Sequence, residues 1–188
     1  MAVSDEHNLL MRAREYDTAA LGELYDQYAP KIYSYILYQV CDDCLAEDLT
    51  ANVFRKVLDA VLTSKAWQQS FTSWLYRIAH NAVVDHYRRN KNNESLPLDE
   101  RLVAASDDPV AAVESRLSRE DIKQALLALT LDQREVVALK FFEGFSNLET
   151  AQVMGKTEGA IKSLQYRALG ALRRQLEEMW GRGHEVGA

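Results

Sequence analysis

Residues 147 to 167 read NLETAQVMGKTEGAIKSLQYR, and their types and spacing suit one kind of chemistry, the reading of duplex DNA. With Asn147 as position one, Ala151 falls at five, Gly155 at nine, Ile161 at fifteen and Leu164 at eighteen. Two helices that cross steeply need a small residue at the contact, as Ala151 provides, and a tight turn favours a left-handed backbone that Gly155 adopts without steric penalty. Ile161 and Leu164 would lock the second helix onto the first. Thr157 is placed to cap that second helix, which puts Glu158, Gly159, Lys162, Ser163, Tyr166 and Arg167 on or near its exposed face. The first residues of such a helix reach base edges in the major groove. Lys162, Arg167, Arg173 and Arg174 are candidates for phosphate contacts.

Other reactive groups form weaker constellations. Cys41 and Cys44 make a lone C-D-D-C, and a structural zinc site needs four ligands that no second pair supplies. On one helix that spacing would point both thiols the same way, and ordinary half-buried cysteines are the expectation. His80, Asp85 and His86 could serve as acid, base or metal residues, but His80 and His86 lie six apart and so on different parts of a helix surface. We therefore expect no catalytic residue, no metal and no cofactor.

The elements that must position these groups are helical. In the 188-residue chain, hydrophobic residues make up 47% and charged residues 27%, with eight Gly and three Pro, the profile of a soluble, largely helical protein. Leu21, Leu24, Tyr25, Tyr28, Ile32, Tyr35 and Ile36 follow helical spacing, with Pro30 predicting a kink or a fresh start. Ala46, Leu49, Val53, Phe54, Val57 and Val61 mark a second helix, and 62 to 70 lose the periodicity and read as a loop. A third helix from Phe71 carries Trp74, Leu75, Ile78, Ala79, Ala82 and Val83 on one side and Arg77, Asn81, Asp85 and Arg88 on the other. Residues 96–115 hold the other two prolines and no strong period, which predicts a flexible acidic linker. Beyond it, SRED (118–121) and SNLE (146–149) are helix-start signals, the second a capping box with Phe145 placed to staple it. LDQREVVALKFF forms the helix between them, with Thr130 able to cap it.

The expected fold is all-α: two small helical domains, 1–95 and 116–180, joined by the linker and followed by a short tail, 181–188. No stretch approaches the roughly 18 uncharged apolar residues of a membrane span, and the N-terminus lacks the basic start of a secretory signal. Membrane insertion is not expected, and the cytoplasm is the expected location.

The formal net charge of -6 is unusual for a DNA reader, and its distribution explains it. Residues 1–95 hold 10 Lys and Arg against 13 acids, the linker 1 against 5, and 116–188 hold 11 against 10. The acid excess lies outside the DNA reader. A chain so balanced should bind duplex DNA weakly alone, because release of counterions by basic residues dominates that affinity.

Two blocks extend the reading. The stretch from 128 to 176 resembles the sigma-4 domain of bacterial RNA polymerase sigma factors, with Arg134-Glu135-Val136, Phe142-Glu143-Gly144 and Arg167-Ala168 as its landmarks. LAEDLTANVF (45–54) resembles the sigma-2 core-binding helix, and FTSWLYRIAHNAVVDHYRR (71–89) the helix that opens the promoter. Two such domains without a block between them are similar to the extracytoplasmic-function (ECF) group of the sigma-70 family. The resemblance implies a promoter-specificity subunit. Glu47, Asp48, Leu49 and Asn52 would dock on a coiled coil of the polymerase largest subunit, with Ala51-Asn52 standing where the family usually has Gln-Glu. Trp67, Trp74, Arg77, Asn81, Arg88 and Arg89 would meet the minus ten element, Trp67 as a stacking platform for an extruded base. The helix-turn-helix residues 157–159, 162, 163, 166 and 167 would read the minus thirty-five element. Implied partners are the polymerase core, including its flap region, promoter DNA and an anti-sigma factor. Thr150 stands where an aliphatic residue is usual, and a hydroxyl there could bond back to a helical carbonyl.

Two rival readings stand beside it. One is a free-standing helix-turn-helix regulator whose first half senses a ligand or dimerises. The other is an enzyme built on His80, Asp85 and His86.

Overall fold

The structure, a computed structural model, describes residues 2–63, 70–92 and 119–184, and side chains over 7–63, 70–90 and 121–179. Among the described residues it is all-α. The order is α1 (Ala2–Arg14), α2 (Thr18–Val40), α3 (Asp43–Leu62), α4 (Phe71–Asn92), α5 (Arg119–Leu127), α6 (Leu131–Val137), a π turn (Ala138–Phe142), α7 (Asn147–Met154) and α8 (Glu158–His184). Of the loop expected at 62–70, Leu62 instead ends α3 and residues 64–69 lie outside the described residues, as does the linker expected at 96–115.

Local chemistry sets the helix ends. Asp17 caps α2, its carboxylate accepting from the Ala19 and Ala20 amides and from the Arg12 guanidinium at 2.7 Å. These bonds favour the ionised form and hold the Asp17 carboxyl below its ordinary range. Cys41 ends α2 in the left-handed conformation at φ 55°, and Asp42 caps α3 by accepting from the Leu45 amide at 2.8 Å. The chain thus breaks between Cys41 and Cys44. They do not share a helix as their spacing suggested: Cys41 is buried and Cys44 exposed.

Two further expectations are narrowed. Of the kink or fresh start expected at Pro30, the fresh start does not occur, since α2 runs unbroken from Thr18 to Val40. Leu24, Tyr28, Ile32, Tyr35 and Ile36 are buried on both sides of Pro30, and that continuous packing outweighs one missing hydrogen bond. The helix of LDQREVVALKFF changes pitch: after α6 the backbone widens into the π turn, where the Glu143 amide donates to the Ala138 carbonyl at 3.1 Å. The helix α1, not expected from periodicity, buries Leu9 and Ala13 against α2.

Helices α1 to α4 form one bundle and α5 to α8 a second, and the two pack together. Helices α6 and α7 and the π turn lie against α2 and α4. A continuous apolar core joins Ile32, Tyr35, Leu75 and Ala79 of the first bundle to Val136, Leu139, Phe145 and Ala151 of the second.

Candidate nucleic-acid interface

The turn between α7 and α8 is built by local bonds. Ser146 caps α7 in a reciprocal capping box with Glu149, and the Thr150 hydroxyl donates to the Ser146 carbonyl at 2.8 Å. The same bonds hold the Glu149 carboxyl below its ordinary range. Phe145, placed by sequence as a staple, packs on Tyr76 of α4 with ring centroids 4.8 Å apart. Gly155 closes α7 at φ 62°, and both its amide and that of Lys156 donate to the Ala151 carbonyl. Thr157 then caps α8, accepting from the Ala160 amide at 3.2 Å. Ala151, Ile161 and Leu164 are buried in one core with Val153 and Met154, so α8 is fixed on α7 by positions its spacing singled out.

What remains outside is a row of polar groups. Thr157, Glu158, Gly159, Lys162, Ser163, Tyr166 and Arg167 are all exposed, Tyr166 at 82%. Ser163 Oγ donates to the Gly159 carbonyl at 3.0 Å, and Arg167 Nε to the Ser163 carbonyl at 3.2 Å, which aligns the arginine along its own helix. A Cβ built at Gly159 would meet nothing within 4 Å, so this position leaves room for a close neighbour. Among the further cations, Arg173 is paired with Glu177 at 2.7 Å and Arg174 is exposed.

Helix α4 presents a second polar stripe. At about 100° per residue, Trp74, Arg77, Asn81 and Arg88 fall within about 60° of one another on its surface. Arg77, Asn81, Arg88 and Arg89 are exposed, Arg88 pairing with Asp85 at 3.0 Å, whereas Trp74 is half-buried against the core beside Phe71. Arg89 stands off the stripe by about one residue's turn. Trp67 lies outside the described residues.

On α3, Glu47 and Asp48 are exposed, and Asn52 is half-buried with its Oδ1 accepting from Arg55 at 2.8 Å. Leu49 turns inward at 7% exposure, so it supports this edge from beneath and offers no side chain to a partner. Phe54 is buried too, its ring edge-on to Tyr25 at 4.9 Å. Glu47 also borders a groove of about 370 Å³ between α2 and α3, lined by Tyr25, Asp26, Ala29 and Tyr33.

The histidines raised as enzyme candidates do not converge. His86 is hydrogen-bonded to Asn90 at 2.9 Å on an exposed part of α4, and burial and Arg89 lower its pKa. His80 points the other way, into the junction between bundles, where Nδ1 lies 2.5 Å from the Glu135 carboxylate. Among the described residues no group of three or more His, Cys, Asp and Glu side chains could hold a metal. No helix among them is long and apolar enough to cross a membrane.

Reading by sequence placed Tyr35 on an apolar face and Arg134, Glu135 and Glu143 among the family landmarks, but did not foresee that they meet Gln39 and Tyr76 at that junction. One signal was available. Tyr35 falls on the apolar face of its helix, and a buried tyrosine needs a partner for its hydroxyl.

Comparison with known proteins completes the description. The family model "Sigma-70 region 2" matches residues 24–93, and "Sigma-70, region 4" matches 119–172. The chain is 40% identical over 172 residues to the ECF RNA polymerase sigma factor BldN of Streptomyces coelicolor, covering 90% of this chain and 65% of BldN. It is 31% identical over 160 residues to the ECF RNA polymerase sigma factor SigX of Bacillus subtilis, covering 82% of each. Among solved structures, the sigma factor RpoE of Bartonella quintana in complex with the anti-sigma factor NepR has a TM-score of 0.68 at 23% identity, covering 83% of this chain and 96% of that one. CnrH in complex with the cytosolic domain of CnrY has a TM-score of 0.67 at 20% identity, covering 90% and 96%. At these identities the two structures share the fold.

Proposed function

We propose, for a chain that belongs to the ECF group of the sigma-70 family, that it binds the RNA polymerase core and directs initiation at promoters carrying its own minus thirty-five and minus ten elements. The exposed start of α8 reads the minus thirty-five element: Thr157, Glu158, Gly159 and Lys162 at base edges, with Ser163, Tyr166 and Arg167 along the groove wall and phosphates. The stripe Trp74, Arg77, Asn81 and Arg88, with Arg89 beside it and Trp67 in the preceding segment, meets the minus ten element and helps melt it. Unstacking a base costs a few kcal/mol, which aromatic stacking and hydrogen bonds to the extruded base offset. Glu47, Asp48 and Asn52, braced by Leu49, dock on the coiled coil of the largest subunit, and α5 to α8 engage the flap region.

The observation that carries this reading is the exposed row from Thr157 to Arg167, held in place by bonds within its own bundle and turned toward solvent. Delivery by the polymerase removes the need for a strongly basic protein, which fits a net charge of -6. Bond formation in RNA belongs to the polymerase, and the protein works where the polymerase is, in the cytoplasm. An anti-sigma factor is the proposed regulatory partner.

The test is run-off transcription with purified core polymerase. Transcripts that require both core and this protein, and start at a common pair of spaced motifs, support the reading. A footprint on a palindrome by the protein alone, with no core-dependent transcript, would replace it with a free-standing regulator.

A further inference from the structure

Tyr16 is held in a conformation that its residue type disfavours. It joins α1 to α2 at φ 66°, one of two residues other than glycine with positive φ among the described residues. In that region a Cβ crowds the backbone, a cost that glycine would avoid. The other such residue, Cys41, is buried, whereas Tyr16 is 45% exposed and is no core anchor.

The turn around Tyr16 keeps it there. Its amide donates to the Ala13 carbonyl at 3.2 Å, and the amides of Glu15 and Asp17 both donate to the Arg12 carbonyl, at 3.0 and 3.2 Å. The Arg12 guanidinium returns to the Asp17 carboxylate at 2.7 Å, and Ala13 and Ala20 are fully buried on either side. A strained residue persists where its surroundings over-determine it in this way, and such residues concentrate at functional positions.

The conformation achieves one long-range bond. The Tyr16 hydroxyl donates to the Leu62 carbonyl at 3.1 Å, 46 positions along the chain. Leu62 is the last residue of α3, where a helix has carbonyls without internal donors. Two neighbouring carbonyls are met locally: that of Asp59 by the Thr63 hydroxyl and amide, at 2.8 and 3.1 Å, and that of Val61 by the Thr63 amide. The carbonyl of Leu62 is met from the α1–α2 turn, which ties down the end of α3.

We propose that Tyr16 is a positioning residue for opening of the minus ten element. The inference rests on the proposed function, in which Trp67 and α4 meet the extruded base and the DNA beside it. The chain leaves α3 at Leu62 and enters α4 at Phe71. Phe71 is anchored on the arriving side, buried and edge-on to Tyr28 with centroids 5.1 Å apart. On the departing side the anchor is the Tyr16 bond. Fixing both ends before DNA arrives lowers the ordering cost of holding an unstacked base, and that cost subtracts from what stacking can offset.

Tyr16→Phe tests this, because it keeps the ring and the backbone and removes only the donor. In the free protein, amide hydrogen exchange over residues 60–63 should quicken several-fold while that over 46–57 stays unchanged. With core polymerase, on a promoter recovered by run-off transcription, minus ten thymines should become permanganate-reactive about two- to tenfold more slowly, the range of one hydrogen bond's net contribution. The protein concentration for half-saturation should not move. A template mismatched across the minus ten element, and so already melted, should restore the wild-type transcript level. Tyr16→Gly, which relieves the strain but also removes the donor, should open the promoter as slowly as Tyr16→Phe. Unchanged exchange would overturn the positioning of α3 by Tyr16, and quickened exchange with an unchanged opening rate would overturn its link to melting. A defect that persists on the mismatched template would overturn that link too, leaving Tyr16 a general structural role. Absence of any core-dependent transcript from the wild type would overturn the proposed function, with the exchange result still deciding whether Tyr16 fixes the end of α3.

Discussion

The exposed row on α8 and the seam between α2, α4 and α6 use the same residue types to opposite ends. On α8, Lys162, Tyr166 and Arg167 take no partner from another element among the described residues, and Arg167 bonds only within its own helix. At the seam, Arg134, Glu135, Tyr35, Tyr76 and His80 are all joined across elements. The difference teaches where each cost is met. The α8 side chains stay hydrated in the folded state, so their hydrogen-bonding capacity is kept for a ligand. The seam groups are desolvated, so each needs its partner whenever the bundles are closed. The α8 row therefore stays open to a second molecule, whereas most of the seam's polar groups are met within the chain, the Gln39 amide and Arg134 Nε being exceptions.

The sharpest way to break this comparison is to remove the outward cations. Lys162→Ala with Arg167→Ala should lower transcription from the protein's own promoters by at least about 10-fold, Lys162 losing a base-directed contact worth about 1–3 kcal/mol and Arg167 a phosphate contact besides, while core binding in pull-down stays unchanged. Loss of core binding would show that α8 serves the polymerase and not the DNA. Next in size is the backbone that aims the row. Gly155→Ala forces an alanine to φ 62° and should cost about 1–2 kcal/mol of stability, seen as a lower midpoint in urea for the second bundle. Ser146→Ala removes the capping box of α7 and should cost about 1 kcal/mol by the same assay.

The seam predicts a smaller effect with a definite sign. Burial raises the Glu143 pKa above its ordinary value, against the opposing influence of the Tyr76 hydroxyl of α4 and of Lys31 on α2. A carboxyl whose folded-state pKa is raised binds protons more readily folded than unfolded. Its contribution to stability is therefore present below its ordinary pKa and is lost as pH rises through the raised value. Urea midpoints followed upward from mildly acidic pH should fall for this reason. Glu143→Gln should flatten that part of the dependence, and an unaltered profile would remove Glu143 from the seam's energetics.

How much of this was legible in sequence follows the range of the forces involved. The helix-turn-helix could be read because its determinants are local: a capping box over four residues, one left-handed glycine, and aliphatic positions a turn apart. Thr130 and Thr150 were legible for the same reason, each bonding within four residues. At Pro30 no fresh helix starts, because the local penalty is real but smaller than the burial of the helix on either side. The seam was invisible because its bonds join distant positions, Tyr35 to Glu135 across 100 residues and Arg134 to Gln39 across 95. Periodicity assigned Tyr35 to a core correctly, and nothing in it could say that the core extends into the other bundle. Leu49 shows the same limit at short range: the family pattern marks the docking helix, but only packing tells which of its side chains face outward.

The most direct test of the account is run-off transcription from a genomic library with purified core polymerase, with and without the protein. The account predicts transcripts that appear only when both are present and that begin downstream of one recurring pair of spaced motifs. Transcripts independent of the protein, or DNA bound by the protein alone with none initiated, would contradict it.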